Sequence, residues 1–380
     1  MTLSETRAAL HQAILRVIAQ WSASAPIADA EIDALLLSLF HLQVQTIPTY
    51  GALVALRGVT PESVVAWQQI PCAPSVAFKH NPMATLAAIA APAAVFATSG
   101  TTDGAPGRVY LAETTLYDAA ALATFRHFVA PQADDFGRFR CLSLVPTAAS
   151  RPESSLGHMV RVVAGHFGDR GGALGEFVGT TGDAGHIAVH AFCAACTEAA
   201  ADGTPVLLFA TSVALAILLG QLPAGWRVAL PPGSRLMDTG GSKGRTLDVE
   251  RAAQHGELVA RFGLQPVALV GEFGMTELSS QRYEPTLRAA LLREPPPPRH
   301  YVAPPWLRSR VLRVDGGIPQ SPCAVGEPGL VAHLDLANLD TCAFVQTADL
   351  GSLDAAGGLT LFGRLPTAEL RGCGLDLATN

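Results

Sequence analysis

The sequence predicts an α/β protein: a large body of sheets with packed helices, plus a small β-rich subdomain. Three observations predict it. Apolar runs of strand length alternate with runs of helical spacing from about residue 94 to residue 270, the pattern of a sheet covered by helices on both faces. Four successive prolines, Pro295 to Pro298, then break regular structure, and short alternating runs follow them, as in an antiparallel unit. Of the 380 residues 49% are hydrophobic and 15% charged, a balance that builds cores and excludes a disordered chain. The length exceeds one small core and suggests two or three packed units.

Taken in order, residues 5–21 and 29–43 carry apolar positions at helical spacing, as in Ala8, Leu10, Ile14, Leu15 and Ile18. Pro61-Glu62-Ser63 predicts a further helix with Thr60 as its cap. Ala94 to Ala97 reads as a buried strand entering a glycine-rich loop, and a helix begins near Glu113. Cys141 to Val145 is a strand stopped by Pro146. Pro205 to Phe209 is another strand, and a helix runs from Ala210 to Leu219. Val228 to Leu230 and Pro266 to Val270 are further strand candidates. After Pro305, the runs Arg310 to Val314, Gly329 to Leu334 and Leu359 to Phe362 predict the small β-rich unit. The expected organisation is a helical segment 1–90, an α/β nucleotide-binding body 91–300, a β-rich subdomain 301–362 and a short tail 363–380.

The net charge of −6 and the scattered basic residues argue against a nucleic-acid partner, which needs a basic face. The start is amphipathic, with Glu5, Arg7, His11 and Arg16 among apolar residues, and does not read as a secretory signal. The most apolar run, Val206 to Leu219, is short for a bilayer span. Seven cysteines without a dense framework suit reduced thiols and a cytoplasmic location. Cys193 and Cys196 form a lone C-x-x-C in a helical setting, with no second pair to complete a zinc site.

The strongest local signal runs from Phe96 to Arg108. A strand ends, hydroxyls and glycines alternate, and a basic residue follows. Glycines let backbone N–H groups turn toward an anion, and Thr98, Ser99, Thr101 and Thr102 add donors around Gly100. Arg108 supplies positive charge. The spacing does not fit a Walker loop. A second segment, Gly271 to Glu277, follows a strand and delivers Phe273, Gly274, Thr276 and Glu277. A carboxylate oxygen suits Mg²⁺, and a threonine hydroxyl suits a phosphate. Asp349 in Gln346 to Gly351 offers acceptors to a diol, and Arg364 closes Leu361-Phe362-Gly363-Arg364.

In this order, TSGTTDGAPGR, GEFGMTE, QTADLG and LFGR resemble the motifs of the adenylate-forming (ANL) superfamily of acid-activating ligases. Two departures stand out: Asp103 is inserted in the loop, and the lysine that usually closes it is absent. The resemblance implies a large N-terminal body with most of the C-terminal lid domain missing. It implies ATP and Mg²⁺ as cofactors, with Glu277 as metal ligand. Thr98, Ser99, Gly100, Thr101, Thr102, Arg108 and Thr276 would hold phosphate, Asp349 and Arg364 the ribose, and Phe273 with Gly274 the adenine. Without a lid lysine, Lys243 and Arg245 are the preferred cations, ahead of Arg108 and Arg364.

Further segments narrow the resemblance. Ser154 to Val160, Pro205 to Phe209, Asp238 to Arg245, Gly274 to Tyr283 and Gly363 to Leu375 look like the acyl-protein synthetases of bacterial luminescence, the LuxE type, over about residues 90 to 380. That implies a fatty acyl-AMP, a thioester on Cys373 and delivery to an acyl-accepting protein, a reductase or carrier protein. Glycines flank Cys373, and Arg371 would favour its thiolate. His158 would line the acid pocket or orient the carboxylate, and it also suits an ordinary core. Two other readings stay open: delivery of the acyl group to a carrier protein, coenzyme A or an amine, and a catalytically silent nucleotide-binding scaffold of an acyl reductase complex.

Overall fold

The computed structural model describes residues 2–98, 106–135, 137–147, 150–178, 187–240, 245–315 and 318–365. The protein is a mixed α/β chain that folds as two units interleaved in sequence. The first comprises Met1–Ala123, Met275–Gln281 and Val302–Asn380; the second comprises Thr124–Gly274 and Arg282–Tyr301.

The second unit is built on a six-stranded sheet. Its strands, in spatial order, are Leu174–Glu176, Arg140–Ser143, Val206–Thr211, Arg235–Thr239, Leu269–Phe273 and Arg282–Tyr283. All neighbours run parallel except the last pair. Strands buried on both faces read as continuous apolar runs, and Val206–Thr211 shows why. Val206, Leu208 and Ala210 enter a core with Phe192, Leu215, Leu218, Leu258 and Phe262 of three helices. Phe209 points the other way, its ring 6.1 Å from that of Phe125, which lies 5.3 Å from Phe167. Burying each such side chain contributes about 2 kcal/mol. Thr211 caps the following helix, Ser212–Gln221, by accepting from Ala214 N at 3.1 Å.

The first unit carries the antiparallel sheet. Leu307–Asp315, Ile318–Pro322, Gly329–Asp335, Phe344–Leu353 and Leu359–Arg364 pair antiparallel, and the short strand Ala73–Pro74 adds parallel to Phe344–Leu353. The helices Leu3–Ser22 and Asp29–Thr46 belong to this unit. The first opens with a capping box, Thr2 Oγ1 accepting from Glu5 N at 3.2 Å and Glu5 Oε2 from Thr2 N at 2.8 Å. A separate hairpin pairs Ala94–Ala97 with Arg108–Leu111.

Three local expectations change. Pro61–Ser63 makes a single 3₁₀ turn in which the Thr60 side chain caps nothing, because Ser63 N and Oγ both bond the Thr60 carbonyl and Val64 is already extended. Val228 to Leu230 joins no strand: Val228 N and Leu230 N donate to Arg261 O and Phe262 O, at the end of the helix Arg245–Phe262. These are the carbonyls a helix end leaves open. Pro266–Ala268 is a 3₁₀ turn, and the strand starts at Leu269. Among the described residues, no helix is long and apolar enough to cross a membrane.

Candidate active site

The glycine-rich loop connects two strands of a hairpin, since Ala97 pairs with Arg108. Its base is closed twice: Thr98 N donates to Gly107 O, and Gly107 N donates to Thr98 Oγ1, each at 2.9 Å. Thr98 is buried, and Arg108 is exposed at the start of the return strand. The strand Arg108–Leu111 was hidden in the sequence behind the loop, although Val109 and Leu111 are buried and Tyr110 between them only partly so, the alternation that marks a strand. Ser99, Gly100, Thr101 and Thr102 lie outside the described residues.

The Met275–Gln281 segment meets this hairpin within the first unit. Thr276 Oγ1 lies 3.5 Å from the carbonyl of Ala97, the residue before Thr98. Glu277 is buried. Burial pushes its carboxyl up to about 7; Arg364 and Lys79 pull it down, and Asp349 pushes it up. Glu277 therefore shares an electrostatic environment with residues from two other stretches of chain.

Asp349 and Arg364 face each other across paired strands, and Arg364 Nε donates to Asp349 Oδ1 at 2.6 Å. Asp349 Oδ2 is buried and has no hydrogen-bond partner among the described residues. A buried acceptor left open is costly, and a hydroxyl donor would satisfy it.

Residues without a motif hold the Thr276–Glu277 segment. Asp335, fully buried at the end of the strand Gly329–Asp335, accepts from Ser279 N (2.9 Å), Ser280 N (2.9 Å), Ser280 Oγ (2.8 Å) and Ala337 N (3.0 Å). Asn338 Nδ2 donates to the Glu277 carbonyl at 2.7 Å. Gln43 Nε2, from the helix Asp29–Thr46, donates to the carbonyls of Asn338, Leu339 and Thr341. The helix Asp29–Thr46 thus braces the turn that braces Glu277. The sequence gives no sign of these residues, because a buried polar contact to a distant stretch of chain leaves no periodic trace.

The remaining expected residues belong to the second unit or lie outside the described residues. Phe273 and Gly274 end the Thr124–Gly274 segment of the second unit. Phe273 is buried, its ring centroid 5.8 Å from that of Tyr301. His158 is buried in the first turn of the helix Ser155–Phe167, also in the second unit, with Nδ1 3.4 Å from Arg161 Nη2. Arg245 starts the helix Arg245–Phe262; its side chain, Lys243 and Cys373 lie outside the described residues. Cys193 and Cys196 both sit in the helix Val189–Asp202, and burial pushes the Cys196 thiol up to about 12. Burial likewise pushes Cys141 and Cys342 to about 12, so these thiols are inert at neutral pH. Among the described residues, no group of three His, Cys, Asp or Glu is arranged to hold a metal ion.

No family model and no curated protein matches the chain. Solved structures do match. ATP-bound MatB from Rhodopseudomonas palustris is 17% identical, with a TM-score of 0.47 over 72% of this chain and 48% of that one. O-succinylbenzoate coenzyme A synthetase (MenE) from Bacillus subtilis, in complex with AMP, is 18% identical with a TM-score of 0.44, over 72% and 50%. A luciferase-like enzyme from the mealworm Zophobas morio is 14% identical with a TM-score of 0.46, over 72% and 57%. The chain spans about half the length of these structures.

Proposed function

We propose that this chain is an ATP-dependent, AMP-forming ligase that activates a carboxylic acid as its acyl-adenylate. One observation carries the reading: Thr98, Thr276–Glu277 and Asp349–Arg364, from three separate stretches of sequence, belong to one folded unit and are linked by the contacts of Thr276 and the electrostatics of Glu277. The loop Thr98 to Gly107 holds the phosphates, and Asp349 Oδ2, the open acceptor, takes a ribose hydroxyl. Arg364 fixes the Asp349 carboxylate through Oδ1.

Mg²⁺ takes oxygen ligands and is commonly held by one or two carboxylates together with substrate phosphates. Glu277 fits that role: a cation beside it favours the ionised form that burial disfavours. The metal supplies charge neutralisation on the phosphates. In the reaction the acid's carboxylate oxygen bonds the α-phosphorus, and the bond from that phosphorus to the bridging oxygen of pyrophosphate breaks. The protein contributes position and fixed charge.

The acid we propose is a fatty acid, and the acyl acceptor a thiol. Cys373 thiolate bonds the acyl carbon, AMP leaves, and a partner protein takes the acyl group in turn. The sequence likeness to acyl-protein synthetases supports this second half. Acid-dependent exchange of labelled pyrophosphate into ATP tests the first half. Exchange is expected with at least one acid of a fatty, aryl and amino acid panel, and it disappears in Glu277→Gln. Exchange that survives Glu277→Gln removes the metal assignment. Covalent labelling by radioactive acid that persists in Cys373→Ser removes the thioester while leaving adenylation intact.

A further inference from the structure

The loop from Thr98 to Gly107 contains no lysine or arginine, and it carries Asp103. A triphosphate brings several negative charges, which backbone N–H groups and hydroxyls screen only in part. The first cation along the chain, Arg108, is exposed on the return strand.

The strand Ala73–Pro74 pairs in parallel with Phe344–Leu353, Pro74 opposite Gln346, and Ser75 N donates to Gln346 O at 2.8 Å. This pairing lies three residues before Asp349 and leads directly into the short helix Ala77–His80. That helix packs its backbone against the base of the loop. A Cβ on Gly107 would lie 2.8 Å from Phe78 O and 2.9 Å from Phe78 C, closer than real Cβ atoms come, and a tight 3.1 Å from Lys79 N. Gly107 therefore allows the Phe78–Lys79 peptide to touch the loop where Thr98 and Gly107 close it. Lys79 is half-buried, and its charge acts on Glu277. A single lysine is thus tied to the phosphate loop through Gly107, to the Asp349 strand through Pro74, and to Glu277 by charge.

We infer that Lys79 is the phosphate-binding cation of this site, supplied from the N-terminal segment to a loop that has none of its own. The inference rests on the nucleotide reading above and deepens it. A lysine ammonium suits this task as a compact charge with three donors on a flexible stem.

The test is nucleotide binding without turnover, by calorimetry with ATP and with AMP in the presence of Mg²⁺ and the absence of acid. The wild-type chain is expected to bind both. Lys79→Ala weakens ATP by about tenfold or more and leaves AMP within about twofold. Lys79→Arg recovers most of the loss, and thermal melting of each variant stays close to wild type. Equal effects of Lys79→Ala on ATP and AMP, or none on either, overturn the assignment of Lys79 and leave the site standing. Failure of the wild-type chain to bind either nucleotide overturns the site and Lys79 with it.

Discussion

Two buried carboxylates at strand ends, one in each unit, show opposite solutions to the same problem. Asp335 in the first unit receives four hydrogen bonds from backbone and serine donors, and it fixes the segment carrying Thr276 and Glu277. Glu272 in the second unit is just as deeply buried, yet its Oε2 has no partner among the described residues. Burial raises Glu272 to about 8, a hydrogen bond with Thr239 pulls the other way, and Asp238 adds a smaller push. The first carboxylate is a structural brace. The second is kept protonated below about 8 by its burial.

The largest effect is expected at the brace. Asp335→Ala strands three buried N–H groups and a hydroxyl, and it should lower stability by about 3 kcal/mol or more. Chemical denaturation measures this, and pyrophosphate exchange should vanish with it. If Asp335→Ala is as stable as wild type, the contrast between the two carboxylates collapses.

Next comes chemistry in a chain that stays folded. Glu277→Gln is nearly isosteric at a buried position and should bring exchange down to background, a loss of about 100-fold or more, with little change in melting temperature. Asp349→Ala removes both the open acceptor and the partner of Arg364. It should weaken ATP and AMP alike by about tenfold, which separates it from Lys79→Ala in the same calorimeter.

The last effect is read as a pH dependence and belongs to Glu272. Its folded pKa, about 8, lies above its ordinary value of 4.5, so the folded chain holds the extra proton between those two values. Its contribution to stability therefore falls as pH rises through that window and levels off above 8. Glu272→Gln does not titrate. Its melting temperature should exceed that of wild type by a margin that grows from pH 5 to pH 8. A margin independent of pH would show that Glu272 is not held protonated.

What was legible in the sequence follows from range. The buried parallel strands announce themselves as apolar runs, and Pro205 to Phe209 could be read locally, although Ala210 and Thr211 close the strand and do not open the helix. Asp349 and Arg364 were legible as motif residues, and cross-strand pairing supplies the contact between them. Lys79 was not legible: it sits in a four-residue helix without a pattern, and its importance comes from a glycine distant in sequence. Gln43, Asp335 and Asn338 were equally silent, since each acts through hydrogen bonds to distant backbone. Val228 to Leu230 misled because an apolar run that closes a helix end has the composition of a strand.

The central claim is that one nucleotide lies against Thr98, Glu277 and Asp349 together. A crystal structure of the chain with ATP and Mg²⁺ tests it most directly. Ribose hydroxyls are expected within hydrogen-bonding distance of Asp349, and the phosphates at the loop closed by Thr98 and Gly107. ATP bound at another place on the chain, away from all three residues, would contradict it.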